Sequence, residues 1–200
     1  MSHTSAWNDP KTTVDQLVTW IADQPFSKNS NFTVAVYGAN DLIITKVGGI
    51  TDKADAAQQI FAEIKSQSMH TGRRIFLAQS FTTDGSVSNH AEMCILAAVG
   101  AENITYIRCT APNCKFCKET LQAYKVNNGN AGPLDGKSQV GWRHPFLRIS
   151  FGTQLPGTPD QQLDELKEIH RTGEVPARPA YGQRSSGDPA SGNFFEVTFD

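Results

Sequence analysis

A histidine and a carboxylate two places apart, His90-Ala91-Glu92, are followed by a cysteine pair at helical spacing, Cys114-Lys115-Phe116-Cys117. No other feature constrains the fold as strongly. Cysteines three apart sit one turn apart on a helix, so their sulfurs can reach one point. One imidazole and two thiolates form an open three-ligand set for a tetrahedral metal, with a fourth position left for water. A carboxylate close to the imidazole but off the metal is suited to moving protons there. These roles require the starts of two helices to converge, each behind a strand.

The surrounding sequence has that form. Residues 104–110 are β-rich and end at the cysteine motif, and 114–126 continue as a helix through Leu121 and Tyr124. A strand at 74–81 leads into a polar loop, 82–89, expected to wall the pocket. It delivers the chain to a helix at 90–100, with Ile95, Leu96 and Val99 inward and Gly100 as its stop. Upstream, 12–24 reads as a helix behind a Thr cap, with Val14, Leu17, Val18 and Ile21 on one face and Pro25 after its end. The runs 32–37 and 42–47 flank Gly38-Ala39-Asn40-Asp41, which predicts a hairpin closed by Gly48-Gly49. Residues 52–67 place Ala56, Ile60, Phe61 and Ile64 on one helical face, with Asp52 near the start.

Downstream, the Gly/Asn-rich stretch 127–141 reads as a long loop that shapes access to the site, and 146–151 as a strand. A helix at 159–170 carries Leu163, Leu166 and Ile169, an irregular Pro/Gly/Ser/Arg-rich segment spans 171–193, and 194–199 offers a terminal strand. A helix between the two late runs predicts that they lie parallel, because a parallel return needs a crossover. The whole, 1–200, reads as one α/β domain with its core at about 12–170.

At 38% hydrophobic and 9% aromatic, the chain can bury one good core. No apolar run approaches the roughly 20 residues of a membrane helix, and the N-terminal stretch lacks the order of a secretory signal. The expectation is a cytoplasmic protein without a membrane partner; specialised secretion of a toxin module leaves no such trace and stays open. A net charge of −2 lacks the basic excess of a dedicated nucleic-acid binder. A local rim drawn from Arg73, Arg74, Lys115, Lys118, Arg143 and Arg148 would serve single-stranded contacts, and the same charges equally serve to solvate a surface.

Residues 89–94, Asn-His-Ala-Glu-Met-Cys, and 111–117, Ala-Pro-Asn-Cys-Lys-Phe-Cys, resemble the cytidine deaminase superfamily, whose signature is H-x-E…P-C-x-x-C. The resemblance implies a three-layer α/β/α sandwich on a mixed five-stranded sheet. It also implies Zn2+ held by His90, Cys114 and Cys117, Glu92 as proton shuttle, and hydrolysis of cytosine to uracil. Asn89, the backbone of Ala91, Phe116 and Trp142 are the expected substrate contacts. The chain departs from the signature in that Pro112 lies one place early and Asn113 precedes the first cysteine. Asn is a strong N-cap, so Asn113 is expected to cap the helix in place of the proline.

Bacterial toxin-type nucleic-acid deaminases are similar in tolerating a residue other than Pro there. By resemblance, parallel late strands belong to the branch acting on tRNA adenosine and polynucleotide cytidine. Both features point to cytosine in single- or double-stranded DNA, or in RNA, whereas the acidic balance points to free cytidine, deoxycytidine or another small amino-heterocycle. The non-enzymatic alternative is a closed structural zinc site of His90, Cys109, Cys114 and Cys117. A thioredoxin-like use of the cysteine pair leaves His90 and Glu92 without a task. Cys94 and Cys109 read as buried, inert thiols, His70 and His170 as surface residues, and Asn40 as a turn residue or a ribose or base contact.

Overall fold

The computed structural model describes residues 9–81, 89–130, 141–184 and 192–199. Strands β1 (Phe32–Tyr37) and β2 (Asp41–Lys46) form the predicted antiparallel hairpin, in register from Phe32↔Lys46 to Tyr37↔Asp41. Gly38 makes the turn at φ 61°, a conformation that glycine enters without steric cost. Helix α2 (Asp55–Ser66) crosses over to β3 (Ile75–Ala78), which lies parallel to β2. Strand β4 (Ile104–Cys109) adds antiparallel to β1, and β8 (Phe194–Val197) adds antiparallel to β3. The result is a mixed five-stranded sheet of order β4-β1-β2-β3-β8.

Alternate residues of the same strands feed two separate apolar clusters, as the period of two requires. Val34, Val36, Leu42, Ile44, Ile75 and Leu77 join Val14, Leu17 and Ile21 of α1 (Pro10–Ala22) and Ile60 and Ile64 of α2. Ala35, Ile43 and Phe76 join residues of α3 (Ala91–Val99), α4 (Lys115–Ala123) and α5 (Pro159–Thr172). Each fully buried Leu, Ile or Val in these clusters contributes about 1.5–3 kcal/mol relative to exposure.

The helix starts follow local chemistry. Pro10 is pre-set for the first turn of α1, and the Asp9 carboxylate, not a Thr, accepts the Thr12 N–H at 3.0 Å. Helix α2 begins at Asp55 without a side-chain cap; Asp52 contributes a backbone carbonyl to Gln58 instead. Helix α5 has a full capping box between Thr158 and Gln161 and ends on Gly173 in the left-handed conformation.

The late strands differ from expectation. β6 (Ile149–Phe151) pairs with two-residue strands β5 (Trp142–Arg143) and β7 (Gln183–Arg184) in a second, three-stranded sheet. It therefore does not neighbour β8, and the predicted parallel return is absent. Helix α5 packs on α4 rather than carrying the chain across the main sheet. The parallel-strand argument for a polynucleotide substrate falls with it.

Candidate metal centre

Helix α3 is buried nearly all round, with Ala91, Met93, Cys94, Ile95, Leu96 and Val99 in the core. Within so apolar a helix Glu92 is the exception, a carboxylate in the first turn that is only 7% exposed. His90 sits immediately before it as the N-cap residue, with extended backbone. At the end of β4 the chain turns into α4, whose N-cap is Cys114; its sulfur accepts the Cys117 N–H at 3.3 Å. The predicted cap, Asn113, is not used as one. The sulfur one residue later occupies that role, which frees the Asn113 amide.

The two helix starts converge. His90 Nδ1 lies 3.4 Å from the Cys114 sulfur and 3.4 Å from the Cys117 sulfur. Among the described residues this is the one group whose three ligand atoms lie within 4.8 Å of one another, so it could hold a metal ion. A tetrahedral zinc with bonds of about 2.0 Å to nitrogen and 2.3 Å to sulfur sets those atoms about 3.5 Å apart, so the spacing is compatible with zinc. The backbone of Gly141 also hydrogen-bonds the imidazole. A ring anchored by backbone while Nδ1 faces two sulfurs matches the support that metal-ligating histidines receive.

The electrostatics favour charge on Cys114 and His90 but not on Cys117. The hydrogen bond from Cys117 pulls the Cys114 thiol down to about 6 against the opposing effect of burial, and His90 adds to the fall. Burial and the neighbouring Cys114 push Cys117 up. Burial opposes the His90 imidazolium, but Cys114 and Glu92 outweigh it and raise the histidine. The Trp142 indole N–H is buried without a hydrogen-bond partner, yet it lies close enough to Cys117 to favour its thiolate. Such an orphan donor gains its partner when the sulfur is ionised, as a bound cation requires.

Cys109 stays outside the ligand group. Its sulfur lies 3.0 Å from Thr33 Oγ1 and 3.3 Å from Asn113 Nδ2, and burial raises it well above the ordinary thiol range. A closed site using all three of these cysteines is therefore not the arrangement present. Cys94 is likewise buried and pushed up to about 12 by burial.

The expected substrate contacts have other surroundings. Phe116 and Trp142 are both 0% exposed, with ring centres 5.5 Å apart, and Phe116 also stacks on Phe151 at 5.2 Å. They form the floor beneath the site and present no ring face to solvent. Ala91 is buried in the first turn of α3. Asn89 is buried and donates to Ser80 Oγ, while its backbone carbonyl accepts the Gly48 N–H at 2.9 Å. Of the proposed basic rim, Arg74 forks onto Asp41 and Lys115 pairs with Asp160 at 2.5 Å. Asn40 serves the turn, donating to the Gly72 carbonyl at 2.9 Å. The candidate pocket wall at 82–88 and most of the access loop, 131–140, lie outside the described residues.

Comparison with protein-family models, curated proteins and solved structures gives no match for this chain. The chemistry of the site therefore carries the functional reading.

A second polar cluster corrects the reading of His170 as a surface residue. His144 Nδ1 accepts the N–H groups of Phe146 and Leu147 at 3.0 and 2.9 Å, its Nε2 lies 3.0 Å from His170 Nε2, and His170 Nδ1 lies 3.2 Å from Glu119. The signal was present in α5, because position 170 continues the stripe of Leu163 and Leu166. His70 is half-buried and stacks on Phe199 at 4.9 Å, so it too is more than a surface group.

Proposed function

We propose that this chain is a zinc-dependent hydrolytic deaminase that converts cytosine to uracil, built on the three-layer α/β/α arrangement of the cytidine deaminase superfamily. The supporting observation is the convergence of His90 Nδ1 and the Cys114 and Cys117 sulfurs beside a buried carboxylate, Glu92, that is not one of the three ligands. Zinc held by these three residues would act as a Lewis acid that acidifies water in the open fourth position. Glu92 would accept a proton from the attacking water, deliver it to the ring nitrogen and assist departure of ammonia, so that cytosine and water become uracil and ammonia. His90 and the two cysteines fix the reacting centre, and the Phe116–Trp142 floor excludes water behind it.

The substrate proposed is cytosine in single- or double-stranded DNA, with RNA as the related polymer. The net charge of −2 favours a second reading, free cytidine or deoxycytidine. No helix among the described residues is long and apolar enough to cross a membrane, and the proposed partners are nucleic acid or nucleoside. The test is sequencing of defined single- and double-stranded DNA pools, with RNA and free cytidine in parallel, after incubation with zinc-loaded protein. Glu92→Ala is expected to cut conversion about 10²–10⁴-fold with zinc retained. Full activity in that variant overturns the assignment.

A further inference from the structure

Behind Glu92 lies a chain of asparagine amides whose polarity is fixed from one end. Asn113, 3% exposed, donates from Nδ2 to Glu92 Oε1 at 2.6 Å. Its Oδ1 accepts from Asn128 Nδ2, also at 2.6 Å, and Asn128 Oδ1 accepts the backbone N–H of Asn130 at 3.0 Å. A backbone N–H can only donate, so it obliges Asn128 to present its oxygen there and its NH2 to Asn113. Asn113 must then present its oxygen to Asn128 and its NH2 to the carboxylate, which can only accept when ionised.

The anchor is itself held. Asn130 Oδ1 accepts the Cys109 N–H at 2.8 Å, while its Nδ2 donates to the carbonyls of Cys109 and Ala111 at 3.2 and 3.0 Å. The segment around it lies along β4, with Ile107 N–H on the Asn127 carbonyl at 2.9 Å and Gly129 N–H on the Ile107 carbonyl at 2.8 Å. The polarity of three side chains is thus referred to the backbone of an edge strand.

We propose that Asn113 is the positioning residue for Glu92, and that Asn128 and Asn130 set its orientation, an inference that rests on the deaminase reading above. Asn113 holds Oε1, and the Cys109 side chain hydrogen-bonds the same carboxylate. A carboxylate in a buried first turn would otherwise sample several rotamers, and a shuttle must meet two proton positions in one turnover. Donation by a neutral amide fixes the group without neutralising its charge.

The test compares Asn113→Ala, Asn128→Asp, Asn128→Ala and Glu92→Ala as zinc-loaded proteins, below each melting temperature, on a single-cytosine DNA oligonucleotide and on free cytidine. Asn113→Ala is expected to lower kcat about 10–100-fold, the range for loss of a supporting hydrogen bond, with KM within threefold and metal content unchanged. Asn128→Asp is the sharper probe. It is nearly isosteric but turns an oxygen toward Asn113 Oδ1, reversing the amide against Glu92, so it is expected to lower kcat more than Asn128→Ala does. A merely structural role would make the truncation the worse of the two. If Glu92→Ala is inactive while Asn113→Ala and Asn128→Asp keep kcat within twofold of the parent, the proposal is overturned and the deaminase reading stands. If the parent protein turns over neither probe, nor the same sequence as duplex DNA or as RNA, the deaminase reading falls, and the role of Asn113 falls with it.

Discussion

Two buried polar clusters lie on the same side of the sheet, and they solve the problem of burial in opposite ways. His144, His170 and Glu119 satisfy one another. Two backbone N–H groups fix the His144 proton on Nε2, that proton goes to His170 Nε2, and the remaining His170 proton on Nδ1 goes to Glu119. Burial holds His144 down to about 3 and lowers His170 as well, so the pair is neutral at ordinary pH. The contact with Glu119 is then a hydrogen bond and not an ion pair. In the other cluster, His90 Nδ1 meets the Cys114 and Cys117 sulfurs only at 3.4 Å, and the interactions there draw Cys114 toward thiolate and His90 toward imidazolium while burial and Cys114 push Cys117 up. Satisfied groups that exclude charge make a structural joint, whereas three convergent ligand atoms could hold a cation.

The contrast is tested most forcefully by adding zinc and then a chelator. With zinc at about a thousandfold over its Kd, a strong chelator is expected to remove about 4 kcal/mol, or about 10 °C in Tm, measured by calorimetry with and without chelator. Cys114→Ala is expected to abolish that difference along with stoichiometric metal. A chelator-insensitive Tm for the parent protein would remove the distinction between the clusters.

Acid acts on the other cluster. The folded histidines have depressed pKa values, so below about 6.5 the unfolded chain binds protons that the native state refuses, and stability falls as pH drops toward about 3. Each such proton contributes a slope of about 1.4 kcal/mol per pH unit. Tyr124 packs edge-on against both rings but remains neutral across this range, so Glu119 is the facing charge. Urea unfolding between pH 4.5 and 6.5 should therefore show a shallower slope for His144→Gln than for the parent; equal slopes would sink the assignment. The smallest expected effect is that of Glu119→Ala, which strands one His170 N–H at a cost of about 1–2 kcal/mol and leaves metal content unchanged.

How legible each cluster was follows from its spacing. The convergence of His90, Cys114 and Cys117 was legible because two short motifs at strand-to-helix junctions carry their own geometry. The hairpin, β3, the five α-helices and the apolar faces were legible for the same reason, since their periods run over enough residues to be counted. Asn113 was read as a helix cap, because its neighbour's sulfur and the carboxylate across the site come together only in the fold. His144 and His170 come from a turn and a helix with no shared motif. The second sheet was missed because the two-residue strands β5 and β7 show no alternation to read; β6 was read within 146–151, but β8 finds β3 instead of it.

Gly49 bears on how the ligand set is kept in place. It has φ +82°, and a Cβ there would come within 2.1 Å of Ser80 N, so the turn after β2 lies flat against the chain leaving β3. Beside it, Gly48 N–H holds the carbonyl of Asn89, the residue before His90. Ser80 and Asn89 are therefore both held against one glycine pair on the central hairpin. The place of His90 in the fold therefore depends on a turn at the end of the hairpin, where a side chain at position 49 has no room.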